Sequence, residues 1–238
     1  MPLTARFKPF DPILAGATLR DRLFACAGAL VGIALTGFLC GLAAGKAPHL
    51  LLLVPPMGAS AVLVFAVPSS PMAQPWPVIG GNTISALAGI AVSHTISEPA
   101  LAAGVAVALA IGAMSLLRCL HPPGGAAALV AVFAGSGAGY LFPLMPVALN
   151  ATVLVACGLA YHRFSGHSYP HVTKPAEPRK PEPPTVSAVP SFEREDVAAT
   201  LEEMGEAYDI SVEDLERILS EIEKKAQARS RRELSFID

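Results

Sequence analysis

Apolar residues run along this chain in long blocks, parted by short polar or proline-rich stretches. From Leu23 to Ala160 the only Asp, Glu, Lys or Arg residues are Lys46, Glu98 and Arg118. A helix that crosses a bilayer needs roughly 20 mostly apolar residues, and the blocks predict helical segments at 23–44, 50–67, 78–96, 101–117, 124–134 and 142–161. Two of them are interrupted: Pro55-Pro56 stands inside the second, and Pro122-Pro123 directly precedes the fifth. Proline lacks the backbone donor and clashes with the preceding turn, so neither helix continues through its break. A bilayer tolerates such a break only where protein or a water-filled cavity surrounds the freed backbone. The predicted fold class is an all-α membrane protein, a helical bundle with two Pro-Pro-Gly half-helices.

The two breaks also read alike. Pro55-Pro56-Met57-Gly58-Ala59-Ser60-Ala61-Val62 matches Pro122-Pro123-Gly124-Gly125-Ala126-Ala127-Ala128-Leu129 at an offset of 67 positions. Asn82 and Asn150 then pair at an offset of 68, as do His94 and His162. With one residue inserted between the breaks and the asparagines, three residue classes fall in register and predict an internal duplication, with repeats at about 23–97 and 98–163. Matched broken helices in two halves are the sequence pointer to a transporter's central site.

Charge places the rest. A soluble domain carries charge on about a quarter of its residues, whereas the apolar region is nearly uncharged and residues 163–238 hold 16 acidic and 11 basic residues. Arg20 and Arg22 precede the first span, and Arg163, Lys174, Arg179 and Lys180 follow the last. The excess of Lys and Arg predicts both termini in the cytoplasm and an even number of spans, in a cell's inner (plasma) membrane. Six crossings, three per inverted half, also put Arg118 on the cytoplasmic side. They are favoured over four crossings with two re-entrant helices. Domain organisation follows as a cytoplasmic segment 1–22, a duplicated membrane domain 23–163, a linker 164–190 with seven prolines, and a cytoplasmic helical hairpin 191–238. In the hairpin Val197, Leu201, Met204 and Tyr208 form one stripe; Val212, Leu215, Ile218, Leu219 and Ile222 form the other, with Ser211 as N-cap. No cleavable signal peptide is expected, since the first apolar run is too long for one. Gly28 with Gly32, and Gly37 with Gly41 and Gly45, form two ladders at four-residue spacing, which suits close helix packing. Cys26, Cys40, Cys119 and Cys157 lack metal-ligand spacing and read as small packing residues.

Candidate chemistry concentrates at the breaks. A helix N-terminus offers unpaired N–H groups and the positive end of the helix dipole, a combination that binds anions. The donors would be Gly58, Ala59 and Ser60 in one break and Gly124, Gly125 and Ala126 in the other. A core almost without carboxylates suits an anion better than a metal cation; the alternative is that the Pro-Pro-Gly turns only shape helix packing. Arg118 either serves the pathway or snorkels to the interface. His121 either donates to an anion and carries a proton or caps the broken backbone. Asn82 and Asn150 either bond the carbonyls freed by the breaks or line the path. His94 and His162 are expected at interfaces, and Gln74 and Trp76 as loop anchors. No metal and no cofactor is expected.

His121-Pro122-Pro123-Gly124-Gly125 resembles the tripeptide signature of the HPP family of integral membrane proteins. The stretches 55–62 and Pro75-Trp76-Pro77-Val78-Ile79-Gly80-Gly81-Asn82 also match what is associated with that family. The resemblance spans about residues 9–163. It implies a four-span protein, against the six favoured by charge, and an anion transporter with nitrite as leading candidate, since plastid and cyanobacterial members are linked to nitrite. The tail from Phe192 to Glu216 resembles the hairpin that leads into paired CBS domains in longer members; such domains, and nucleotide regulation, are not expected in this bacterial type. The leading expectation is a transporter or channel for a small inorganic anion, held in the lipid bilayer as a homodimer and without nucleic-acid partners. The rival readings are a non-transporting scaffold presenting the hairpin and a membrane-embedded enzyme. The enzyme is disfavoured because no paired carboxylate or metal cluster is evident.

Overall fold

Helices form where the apolar blocks predict them. The computed structural model describes residues 18–43, 45, 53–135, 139–172, 194–204, 210 and 212–234. Residues 1–17, Lys46, the linker from 173 to 190, Tyr208 and the expected cap Ser211 lie outside the described residues. In chain order the helices are α1 (Leu19–Ala43), α2 (Pro56–Ala66), α3 (Asn82–Ser93), α4 (Pro99–Leu116), α5 (Pro123–Ala134), α6 (Leu149–Ser165), α7 (Arg194–Met204) and α8 (Val212–Leu234). No strand occurs among the described residues. Short π-helical stretches, Pro77–Gly81 and Pro143–Ala148, lead directly into α3 and α6.

Three segments are long and apolar enough to cross a membrane: Leu19–Ala43, Pro99–Leu116 and Pro143–Ser165. Three apolar helical segments are shorter: Pro56–Ala66, Pro77–Ser93 and Pro123–Ala134. Large apolar side chains face outward, among them Leu30, Leu116, Phe133 and Phe164. Small residues face inward; on α4 the buried positions are Ala102, Ala106, Ala110 and Met114. This inverted distribution belongs to a helix bundle in lipid, where the outer surface meets acyl chains and small residues let backbones approach. The protein is an all-α membrane protein.

Residues 20–172 form one compact unit. Within it, contacts between helix ends show that the six segments alternate in direction. Tyr161 Oη donates to Phe24 O at 2.7 Å, which sets the end of α6 beside the start of α1. Arg22 Nη1 donates to Ala66 O at 3.2 Å, so α2 ends there too. Trp76 Nε1 donates to Leu117 O at 3.1 Å, joining the start of the third segment to the end of α4. Tyr169, just past α6, donates its hydroxyl to Ala73 O at 2.9 Å, which ties these two groups of ends together. At the opposite end, the rings of His94 and Tyr140 stack 4.9 Å apart, after α3 and before α6. Arg22 and Leu117, the residue before Arg118, therefore share one end of the bundle, and Glu98 caps α4 at the other.

Close packing relies on the glycines. A Cβ added at Gly28 or Gly32 would lie 2.6 or 2.5 Å from the Phe65 ring, so α1 accepts that ring only because both residues lack side chains. The four cysteines are free, with Cys40 and Cys119 buried. In the second unit Val197 and Leu201 of α7 are buried against Ile210, Leu215 and Leu219. Met204, Ile218 and Ile222, expected in the same stripes, stay exposed.

Candidate functional site at the paired breaks

The two Pro-Pro motifs fold alike. Pro55 takes φ −52°, ψ −36° and Pro122 takes φ −53°, ψ −40°. Pro56 and Pro123 are buried, as are Met57 and Gly124, while Pro55, Pro122, Ala59 and Ala126 face outward. Each Pro-Pro removes two of the donors that a helix start leaves unpaired. The next ones close tight turns: Met57 N donates to Val54 O at 3.0 Å and Gly58 N to Pro55 O at 3.1 Å. In α5, Gly124 N donates to His121 O at 2.8 Å and Gly125 N to Pro122 O at 3.1 Å. The Gly58, Gly124 and Gly125 amides thus have backbone acceptors already.

Side chains, rather than these amides, make the polar centre. His121 is fully buried just before its break, with Nε2 2.8 Å from Ser60 Oγ and Nδ1 2.8 Å from Met72 O. A carbonyl only accepts, so Nδ1 carries the proton, and in the neutral ring Nε2 accepts from the Ser60 hydroxyl. Asn82 Nδ2 donates to Ser60 Oγ at 3.1 Å and to Val78 O at 2.8 Å. The Val78 carbonyl fixes the orientation of the amide, since a flipped Asn82 would set two acceptors against each other. Ser60 follows the first break and His121 precedes the second, so this chain of bonds joins the two. Asn82 Oδ1 and Ser85 Oγ, one turn apart on α3, are buried with no hydrogen-bond partner.

Asn150 is also fully buried, and its Oδ1 accepts from Val54 N at 2.9 Å. Asn150 thus takes the Val54 amide just before the first break, and Asn82 donates to a hydroxyl and to a carbonyl within its own helical stretch. Arg118 ends α4 with φ 55°, a left-handed conformation that no other non-glycine adopts among the described residues. That backbone turns the chain from α4 toward His121 and is uncommon enough to mark a constrained position. Arg118 is exposed and, with Met72, Met114, Ser115 and Leu120, lines a cavity of about 390 Å³.

Other polar residues hold the frame. Gln74 Nε2 donates to Pro68 O and Ser70 O, both at 2.8 Å, and its Oε1 accepts from His171 N at 2.8 Å. Gln74 and Trp76 are anchors, as expected. His162 lies in the last turn of α6, near a span end as expected, but packed inside the protein: it is 4% exposed, donates from Nε2 to Val64 O at 2.8 Å and takes the Ser165 hydroxyl at Nδ1. Sequence reading passed over Met72, Ser85 and Met114. A lone serine in an apolar helix carries no signal of its own, although Ser85 lies on the Asn82 side of α3, three residues on.

Comparison with known proteins agrees with this architecture. Two transmembrane proteins of Dictyostelium discoideum are similar: one is 36% identical over 125 residues, covering 50% of this chain and 44% of its own length. The other is 35% identical over 113 residues, covering 45% of this chain and 36% of its own. The chain thus spans less than half the length of either relative. No solved structure matches. The HPP transmembrane region matches residues 15–170, and the chain belongs to that family.

Proposed function

We propose that this chain is a membrane transporter or channel for a small monovalent anion, with nitrite as the first substrate to test. The observation that carries the reading is the buried His121–Ser60–Asn82 chain of hydrogen bonds, which joins two broken helices inside a unit nearly without charge. Buried polar groups in a membrane domain are costly and mark solute paths by default. Irregular backbone at membrane depth is likewise kept where it borders such a path. The solute would be held where the breaks meet, near Ser60, His121 and Asn82, with Gly58, Ala59, Gly124, Gly125 and Ala126 in the flanking turns and Arg118 at the mouth. Asn150 holds the first break in shape.

In this reading the six alternating segments are six passes, and the halves are inverted repeats that arose by duplication. The second and fifth passes combine a half-helix with non-helical chain, since helices of 11 and 12 residues reach only ~17–18 Å of a ~30 Å core. Arg22 and Arg118 at one end of the bundle support a cytoplasmic position for that end, in an inner-membrane protein. The exposed pair Ile218 and Ile222 on α8, flanked by Asp214, Arg217, Glu221 and Lys225, suits a two-fold contact with a second copy. Proteoliposome flux tests the function: nitrite uptake above protein-free vesicles supports it, and uptake equal to theirs overturns it. That folded α7–α8 unit favours a second reading, a scaffold presenting the hairpin, which predicts no flux.

A further inference from the structure

We infer that the transported species is bound at Asn82 and Ser85 as its conjugate acid, a neutral small oxyacid, rather than as the bare anion. The inference rests on the transport reading above and specifies what that site accepts. Every donor of the buried chain but one is in use. Asn82 Nδ2 has Ser60 Oγ and Val78 O as acceptors. Ser60 lies within hydrogen-bond reach of His121 Nε2, and His121 Nδ1 meets Met72 O. Two side-chain atoms remain without partners, the acceptor Asn82 Oδ1 and the Ser85 hydroxyl. Both belong to residues with 0% exposure. A buried polar atom without a partner is costly, so the pair calls for a ligand offering one donor and one acceptor. A bare anion offers acceptors only and would face Asn82 Oδ1 with repulsion. An oxyacid fits: its O–H donates to Asn82 Oδ1, and its oxo oxygen accepts from Ser85 Oγ–H.

The surroundings agree. A buried charge needs a counter-charge, and the ionisable groups on the elements around this pair are few. α2 presents Ser60, the segment before α5 presents His121 and Cys119, and α4 presents Met114, with Arg118 beyond it at the exposed mouth. Met114 stands between cavity and site: it lines the Arg118 cavity, and its Sδ is 2.9 Å from where a Gly124 Cβ would lie. The same Gly124 position is 2.6 Å from Ser85 Oγ. An anion drawn to Arg118 would take a proton from hydronium in the cavity, leaving water, pass the flexible Met114 side chain as the neutral acid, and give the proton back to water on the far side. One proton and one anion cross together, so charge balances.

The test uses the full chain in liposomes, with nitrite and formate as weak-acid probes and nitrate as the anion of a strong acid, after subtraction of protein-free leak. At fixed total anion, nitrite and formate uptake should rise with the acid fraction as the outer pH falls, and nitrate should not be carried. The slope should persist in His121→Gln, which separates titration of the solute from titration of the ring. Ser85→Ala should lower nitrite uptake about three- to tenfold, the worth of one hydrogen bond. Its thermal stability should hold or rise, because the lost hydroxyl had no partner. Nitrate carried as fast as nitrite, uptake indifferent to pH, or unchanged uptake in folded Ser85→Ala would each overturn the inference while leaving transport standing. Wild-type protein that moves none of the three probes would overturn the transport reading and this inference with it.

Discussion

His121 Nε2 and Ser60 Oγ lie 2.8 Å apart, linking two residues 61 positions apart in the chain, one just before the second break and one just after the first. Both are fully buried, so neither partner can turn to water if the other is lost. A double-mutant cycle of Ser60→Ala and His121→Gln should therefore show coupling of about 1 kcal/mol in unfolding of the detergent-solubilised protein. Additive effects would mean that the pair contributes nothing to joining the breaks.

The glycines of the breaks divide into two kinds. A Cβ at Gly124 would meet Ser85 Oγ at 2.6 Å and Gly81 O and Met114 Sδ at 2.9 Å, whereas Gly58 and Gly125 have nothing within 4 Å. Gly124→Val should destabilise by about 1–3 kcal/mol through overpacking. Gly58→Val and Gly125→Val should insert and melt like wild type. Any flux they lose then reports on the path rather than on folding. Normal melting of Gly124→Val would contradict the packing described for α3 and α5.

The apolar blocks and the Pro-Pro breaks were legible in the sequence because composition and proline act locally. So was the burial of Asn82 and Asn150. What those residues touch was not legible. Asn150 reaches Val54 and His121 reaches Ser60 across long stretches of chain, and periodicity reports only which face of a helix is apolar. The partner of His162 was hidden for the same reason, since nothing near it in the chain points to Val64 O beside its ring. Arg118 was legible as a charge but not as a left-handed residue, since nothing in its type demands that backbone.

Alternating helix direction makes a topological test. On a background lacking the four native cysteines, Ser97→Cys should react with a membrane-impermeant maleimide added outside intact cells. Leu117→Cys and Ser69→Cys should react only after permeabilisation. Re-entrant short helices with four crossings would instead move Leu117 to the side opposite Arg22, so labelling of Leu117→Cys from outside would refute six passes.

Glu98 caps α4, its carboxylate accepting from the backbone N–H groups of Ala100 and Leu101. Those two bonds hold its pKa below the usual glutamate range. A depressed folded-state pKa gives stability that is present at neutral pH, above the unfolded value, and lost as pH falls through the folded one. The melting-temperature gap between wild type and Glu98→Ala should be largest near neutrality and shrink in acid. A gap that stays constant down to pH values well below the glutamate range would show that the charge on the cap is irrelevant.

The two matched asparagines should respond differently to the same change. Asn150 Oδ1 is the acceptor for the Val54 amide, just before Pro55-Pro56. Asn150→Leu would leave that donor buried and unpaired, at a cost of about 1–3 kcal/mol, and flux should fall in step with the folded fraction. Asn82 is under-satisfied from the start, because its Oδ1 has no partner. Asn82→Leu removes that unpaired acceptor along with the bonds to Ser60 and Val78, so loss and gain largely cancel in stability. If the acceptor faces the solute, as proposed, flux per folded molecule should nevertheless drop. Melting temperatures of the two variants, set beside transport normalised to folded protein, decide the point: equal destabilisation with unchanged flux per folded molecule would make both residues purely structural.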